Sequence, residues 1–257
     1  MKSTETKEQG RYLYCIARDN KQTSFGKIGI EYSEVYTIPS NELTAVVHDC
    51  EAKAYDSKDE EKIKQWIKQH ENVIEKAQEK FKTVVPLSFD VIIKGENASK
   101  EVANWLQAEK ERLERNLEKV KGKQEFGVQI SWDIAIIGEK LSKEKEEIKN
   151  LVNKAEKAPR GKAYFIKQKI KKALKQEIEK LTDKKFKQFY LEIKKHCHDI
   201  KVEKNKRIEE KQMLMNLSCL IEKNKVELFG KELDKINKLE GFSVRFTGPW
   251  PPYSFVT

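Results

Sequence analysis

No stretch of this 257-residue chain approaches the roughly 18 to 20 consecutive apolar residues that a bilayer-crossing helix needs, and its opening, Met1 to Gly10, is polar throughout. The sequence therefore predicts neither a membrane span nor a signal peptide. Cysteine is scarce: Cys15, Cys50, Cys197 and Cys219 are widely scattered and none forms a Cys-x-x-Cys pair, so reduced thiols in a cytoplasmic protein are expected. Catalytic signatures are missing too. No G-x-S-x-G, H-E-x-x-H or phosphate-binding loop occurs, and Gly161 and Lys162 precede Ala163 where such a loop needs Ser or Thr for the metal. A non-enzymatic role without a cofactor is expected.

What is present is charge. Charged residues make up 37% of the chain and hydrophobic residues 38%, polar for a globular protein but too rich in aromatics for a disordered one. The net charge of +10 is unevenly placed: residues 139–212 hold 24 Lys and Arg against 13 Asp and Glu, so one segment carries the whole excess.

Apolar periodicity gives an α+β first half. Arg11 to Ala17 has the β-branched and aromatic make-up of a buried strand, followed by a loop at Gly26 and Gly29. Val35 to Ile38 and Leu43 to His48 flank Pro39, Ser40 and Asn41 as a hairpin. Ser57 and Glu60 form a capping box, and Ile63, Trp66, Ile67, His70, Ile74, Ala77 and Phe81 then share one helical face. An extended stretch around Pro86 reaches Ile93, and a single helix is expected from Ser99 to Lys121, closed by Gly122.

The second half begins at residue 126, giving predicted domains 1–125 and 126–257. A strand over Val128 to Ile137 is followed by helices over Ser142 to Ala158 and Lys162 to Lys195, separated by Pro159, Arg160 and Gly161. A polar connection leads to a strand at Met213 to Ile221, a helix at Val226 to Leu239 and a last strand at Phe242 to Phe246. This order resembles a ferredoxin-like plan with one connection enlarged by basic helices.

Several motifs have two readings. Three of the six prolines fall at Pro249, Pro251 and Pro252, around Trp250 and before Tyr253 and Phe255. Such a stiff aromatic segment loses little entropy on ordering, so it either packs on its own fold or docks in a partner's groove. His196, Cys197 and His198 carry zinc-compatible chemistry, but neighbours in sequence do not converge on a helix and no second pair stands at finger-like spacing. His70 on an apolar face reads as a hydrogen-bonded core residue ahead of a catalytic base. The basic helices leave RNA or DNA binding as the alternative function, and Gly241 to Phe246 resembles an RNP1 strand except that Glu240 stands where Lys or Arg belongs.

Thr247-Gly-Pro-Trp-Pro-Pro-Tyr-Ser-Phe255 is similar to the C-terminal signature of the GvpF/GvpL gas vesicle proteins, with Gly248, Pro249, Trp250, Pro251, Pro252, Tyr253 and Phe255 in register. Other pieces resemble the family in the same order: Arg11 to Tyr14, Leu43 to Val47, His70 and Glu71 ahead of Val85, Pro86 and Leu87, Gly161 to Phe165, and Asn216 to Ile221. Ser88, Phe89, Asp90 and Val91 stand where the family usually has Arg, Phe, Gly and Thr, so only Phe89 matches there.

The resemblance implies an accessory protein of gas vesicle assembly, cytoplasmic and vesicle-associated, binding the small hydrophobic major shell protein and other vesicle accessory proteins. The signature is expected to be structural, locking the second domain together, so that Trp250→Ala lowers stability first.

Overall fold

The structure, a computed structural model, describes residues 8–205 and 211–256. Its contacts divide the chain into two units, Met1–Glu125 with Pro249–Thr257, and Phe126–Gly248.

The first unit is built around β1 (Gln9–Arg18), in which Tyr12 to Ala17 are all fully buried. A strand apolar at every position is one covered on both faces. It pairs antiparallel with β4 (Leu43–Glu51), which pairs in turn with β3 (Val35–Ser40) through the tight turn at Asn41 and Glu42. Asn41 takes the left-handed conformation such a turn requires, at φ +56°. With β2 (Ser24–Gly26) and β5 (Val84–Pro86) the sheet runs β2-β3-β4-β1-β5, and β6 (Ile92–Lys94) pairs with the opposite end of β1.

The register between β1 and β4 shifts between Leu13 and Cys15. An extra residue in one strand reverses the side-chain alternation beyond it. Tyr12 before the bulge, Tyr14 in it, and Cys15 and Ala17 after it therefore all join one cluster, against Trp66, Val73, Ile74 and Ala77 of α1 (Glu60–Phe81). Leu13 and Ile16 point the other way and are equally buried.

Two expectations about helices are corrected. Helix α1 is capped by Asp59, whose carboxylate accepts from the Glu61 and Lys62 amides, while the Ser57 hydroxyl accepts from Asp59 N–H one step earlier. The single helix expected over Ser99 to Lys121 is two, α2 (Ala98–Ala108) and α3 (Lys110–Val120), because Glu109 leaves helical geometry at ψ +6°. Helix α2 packs against β3, β1, β4 and β6, and α3 against β5.

In the second unit the strands are β7 (Lys123–Trp132), β8 (Asp199–Val202), β9 (Gln212–Glu222) and β10 (Phe242–Trp250), in sheet order β10-β7-β9-β8. Numbered within the unit, that is the 4-1-3-2 order of a ferredoxin-like sheet. Strand β8 lies in the stretch read from sequence as a polar connection. Only four residues long, it has no periodicity to detect, and it exists because Asp199 to Val202 pair antiparallel with Leu220 to Leu217.

The enlarged connection between β7 and β8 holds α4 (Ile134–Glu144), α5 (Glu146–Glu156) and α6 (Arg160–Lys194). The sequence places a strand through Ile137, but β7 ends at Trp132. Asp133 explains the switch: its carboxylate accepts from the Ala135 and Ile136 amides at 2.8 and 3.2 Å, capping α4 and turning an apolar run into a helix start. The sheet's core gathers Val128 and Ile130 of β7, Met215 and Cys219 of β9, Phe189 and Ile193 of α6, and Phe229 and Leu233 of α7 (Val226–Asn237).

Replacing Asp133 by Ala removes the acceptor for two helix-start amides. Stability of the full chain in urea should fall by about 1 kcal/mol without a change in the denaturant slope.

Candidate functional site

The first unit holds a buried network of phenols and imidazoles. Tyr12 and Tyr14 reach it from β1, His48 from β4, His70 from α1, and Tyr55 from the loop after β4. His70 Nε2 lies 3.2 Å from the Leu87 carbonyl oxygen, which can only accept. That nitrogen therefore carries the proton, and Nδ1 accepts from the Tyr12 hydroxyl at 2.9 Å. The Tyr12 oxygen in turn accepts from Asp90 N–H at 2.9 Å.

A parallel arrangement holds His48, with Nδ1 at 2.7 Å from the Tyr14 hydroxyl and Nε2 at 2.9 Å from that of Tyr55. The Tyr14 oxygen also accepts from Ile30 N–H at 3.0 Å. Gly29 precedes this contact, and a Cβ there would stand 2.8 Å from the Tyr14 hydroxyl, so the loop needs glycine for close approach rather than for conformation.

Pro86 and Phe89 frame the network. Pro86 sits opposite Cys15 at the end of β5, where its lack of an amide donor costs nothing, and Leu87 N–H continues to the Tyr14 carbonyl at 2.9 Å. Phe89 stands edge-on to Tyr12 and His70, with centroids 6.0 and 5.8 Å away. The segment is not extended throughout, as its sequence suggests. Asp90 turns it at φ +70° and accepts Tyr55 N–H on its carboxylate at 2.9 Å. Asp is among the few non-glycine residues that tolerate this conformation.

Burial holds both histidines down to a pKa of about 4 and pushes Tyr12, Tyr14, Tyr55 and the Cys15 thiol up, so all are neutral near pH 7. Tyr12, Tyr14 and His48 have no solvent-exposed surface, and a group that no solute reaches cannot serve as a catalytic base. The network's work is to join β1, β4, α1 and the 87–90 loop.

The closing segment is placed in this same unit, which corrects the expectation that it locks the second. Gly248 at φ +117°, Pro249 and Trp250 finish β10. Pro251 and Pro252 are buried, and Tyr253–Phe255 form one 3-10 turn. Tyr253 packs on the cluster that contains Tyr12 and Trp66. Glu125, itself nearly buried, accepts from Ser254 N–H at 2.9 Å and from the Ser254 hydroxyl at 2.6 Å. Asn116 of α3 donates to the Val256 carbonyl at 2.8 Å.

Trp250 and Phe255 differ in burial. Trp250 remains 48% exposed, whereas Phe255 is 3% exposed. The buried prolines, Ser254 and Phe255 settle the segment, while the largest side chain stays half exposed.

In the second unit, Phe242 of the RNP1-like strand lies against Trp132 and Phe189, at 5.8 and 5.4 Å, and so belongs to the core instead of forming an open stacking platform. The Cys197 thiol donates to the Ile193 carbonyl at 3.3 Å. Among the described residues, no three His, Cys, Asp or Glu side chains converge to hold a metal ion, and no helix is long and apolar enough to cross a membrane. Two large aromatics, Tyr164 and Phe165, stand out from α6 at 60% and 68% exposure, edge to face 5.8 Å apart. Contiguous exposed apolar surface of this kind marks interaction sites.

Two outcomes are expected. Each histidine is neutral when folded and has an ordinary unfolded pKa near 6.5, so the unfolded chain takes up the extra protons. The stability this confers is complete above about pH 6.5 and falls as pH drops toward 4, by up to about 3 kcal/mol per histidine. Urea unfolding across that range should show the loss, with a shallower slope in His70→Gln. For the closing segment, Phe255→Ala should cost about 3 kcal/mol and Trp250→Ala clearly less, read as urea midpoints of the full chain.

Comparison with known proteins matches this architecture along its length. The family model described as gas vesicle synthesis protein GvpL/GvpF covers residues 10–257. Gas vesicle protein L of Haloferax mediterranei is 27% identical, over 97% of this chain and 88% of that protein. Gas vesicle protein L1 of Halobacterium salinarum is also 27% identical, over 97% and 91%. The crystal structure of the gas vesicle protein GvpF from an Anabaena species superposes with a TM-score of 0.75 at 21% identity, covering 97% of this chain and 98% of that one. GvpF from Microcystis aeruginosa gives a TM-score of 0.68 at 18% identity, over 96% and 99%. These two likenesses establish the α+β fold with its two antiparallel sheets. With the family pattern satisfied from the first strand to the closing aromatics, the chain belongs to the GvpL/GvpF gas vesicle synthesis family.

Proposed function

We propose that the protein binds the major shell protein of the gas vesicle during assembly and does so without catalysing a reaction. The observation that carries this reading is the match to the gas vesicle synthesis family across residues 10–257. A subunit destined for a strongly apolar shell has to be kept from self-association until it is incorporated, and that task needs reversible apolar contact, not chemistry. The exposed pair Tyr164 and Phe165 on α6 supplies large, rigid apolar surface of the type that dominates binding energy at interfaces. The neutral, buried His48, His70, Tyr12 and Tyr14 of the first unit fit a scaffold role. The same reading places the protein in the cytoplasm, in contact with the growing vesicle and with other vesicle accessory proteins.

The test is co-purification of the tagged full chain with the major shell protein, beside a gel shift with mixed RNA at moderate salt. Capture of the shell protein is expected, reduced about tenfold or more in Tyr164→Ser/Phe165→Ser with melting unchanged. Salt-sensitive RNA binding without shell-protein capture would sink the reading and favour nucleic-acid binding by the basic helices.

A further inference from the structure

Helix α6 carries more than its aromatic pair. Over four turns it lines a groove of about 570 Å³ that also touches Ile134 of α4 and Gln212 of β9. The floor is apolar: Ile170, Leu174 and Ile178 recur every four residues along one face. Leu174 and Ile178 are fixed from below, packed against the small cluster of Trp132, Ile137 and Leu141. Ile134 closes the side and is 39% exposed.

Beside the floor runs a second row at the same spacing, Lys167, Lys171 and Lys175, all exposed and all lining the groove. Some lysines of these helices are ion-paired within the chain. Lys145 and Lys180 both reach Glu177 at 2.8 Å, and Lys143 reaches Glu139 at 2.6 Å. None of the three groove lysines makes an ion pair among the described residues. Like charges four residues apart repel along a helix, and Glu179, four residues after Lys175, sets one carboxylate in the lining against the three lysines, which leaves the groove with an excess of positive charge.

We infer that this groove docks an amphipathic helix bearing an apolar stripe flanked by Asp and Glu, contributed by another protein. The apolar floor takes the stripe at matching three- and four-residue steps, and the lysine row meets the acidic flank. From Lys167 to Thr182 the lining spans about 22 Å, the length of some four helical turns. An acidic helix fits better than a nucleic acid, because a phosphate backbone offers nothing to the row of Ile170, Leu174 and Ile178. The site differs from the shell-protein contact proposed above, and its test uses a different ligand.

The probe is a labelled synthetic helix of about four to five turns with Leu at i, i+3, i+4 and i+7 and Glu on either side, titrated with the full-length protein by fluorescence anisotropy. Three controls accompany it: the same composition scrambled, a Lys-flanked version, and a short mixed-sequence RNA. Saturable binding of the acidic helix is expected, at least about tenfold tighter than the scrambled and Lys-flanked peptides. It should weaken about tenfold or more in Lys167→Glu/Lys171→Glu/Lys175→Glu and, separately, in Ile170→Ser. If the charge reversal lowers the melting temperature, the corresponding triple Ala variant is read in its place. Equal binding of the scrambled peptide, tighter binding of RNA through the same lysines, or no saturable binding of the acidic helix would each overturn the inference. Capture of the shell protein by the same variants is measured in parallel, so loss of one interaction with retention of the other shows which proposal fails.

Discussion

Every part of the first unit answers to one constraint, the burial of β1 on both faces with two tyrosines in it. A phenol taken out of water needs a partner, and leaving it unpaired costs more than the bond itself contributes. Tyr12 and Tyr14 find theirs in His70 and His48, which ties the strand to α1 and to β4. The bulge between Leu13 and Cys15 makes this possible, since without it Tyr14 and Cys15 would face opposite layers. The loop at Gly29 and the turn at Asp90 are shaped by the same demand, each bringing a backbone amide to a tyrosine oxygen.

The closing segment extends that logic. A buried carboxylate at Glu125 is acceptable only with donors, and Ser254 provides two. Proline at positions 249, 251 and 252 reduces the entropy lost when the segment is fixed, so a few hydrogen bonds and the burial of Phe255 suffice to hold it. Residues whose pattern identifies the family are in this way residues of packing, and the half-exposed Trp250 is the exception among them.

The second unit separates stability from interaction. Its sheet and α7 bury a shared core, while the enlarged connection holds helices only partly committed to it. Phe189 and Ile193, near the end of α6, are fully buried; Tyr164 and Phe165, near its start, are among the most exposed large apolar side chains. One long helix thus anchors at its C-terminal end and presents surface at the other. The concentration of positive charge in residues 139–212 falls largely on the same helices, and the row of Lys167, Lys171 and Lys175 sets part of it beside the apolar Ile170 and Leu174.

The sequence by itself determined the long amphipathic helices, the central strands, the ferredoxin-like order of the second half and, through the closing residues, the family. These are properties of local periodicity and of a rare combination of prolines and aromatics. The reading of His70 as a hydrogen-bonded core residue also held, because a polar group on an apolar face needs a partner. What tertiary structure alone decided has a common physical cause, dependence on residues distant in the chain. Strand β8 has four residues and exists through pairing with β9; Asp133 converts an apolar run from strand to helix by capping its amides; and Glu109 divides one predicted helix into two. The closing segment packs with residues more than a hundred positions earlier, at Asn116 and Glu125, and no pattern within its own sequence specifies which sheet receives it.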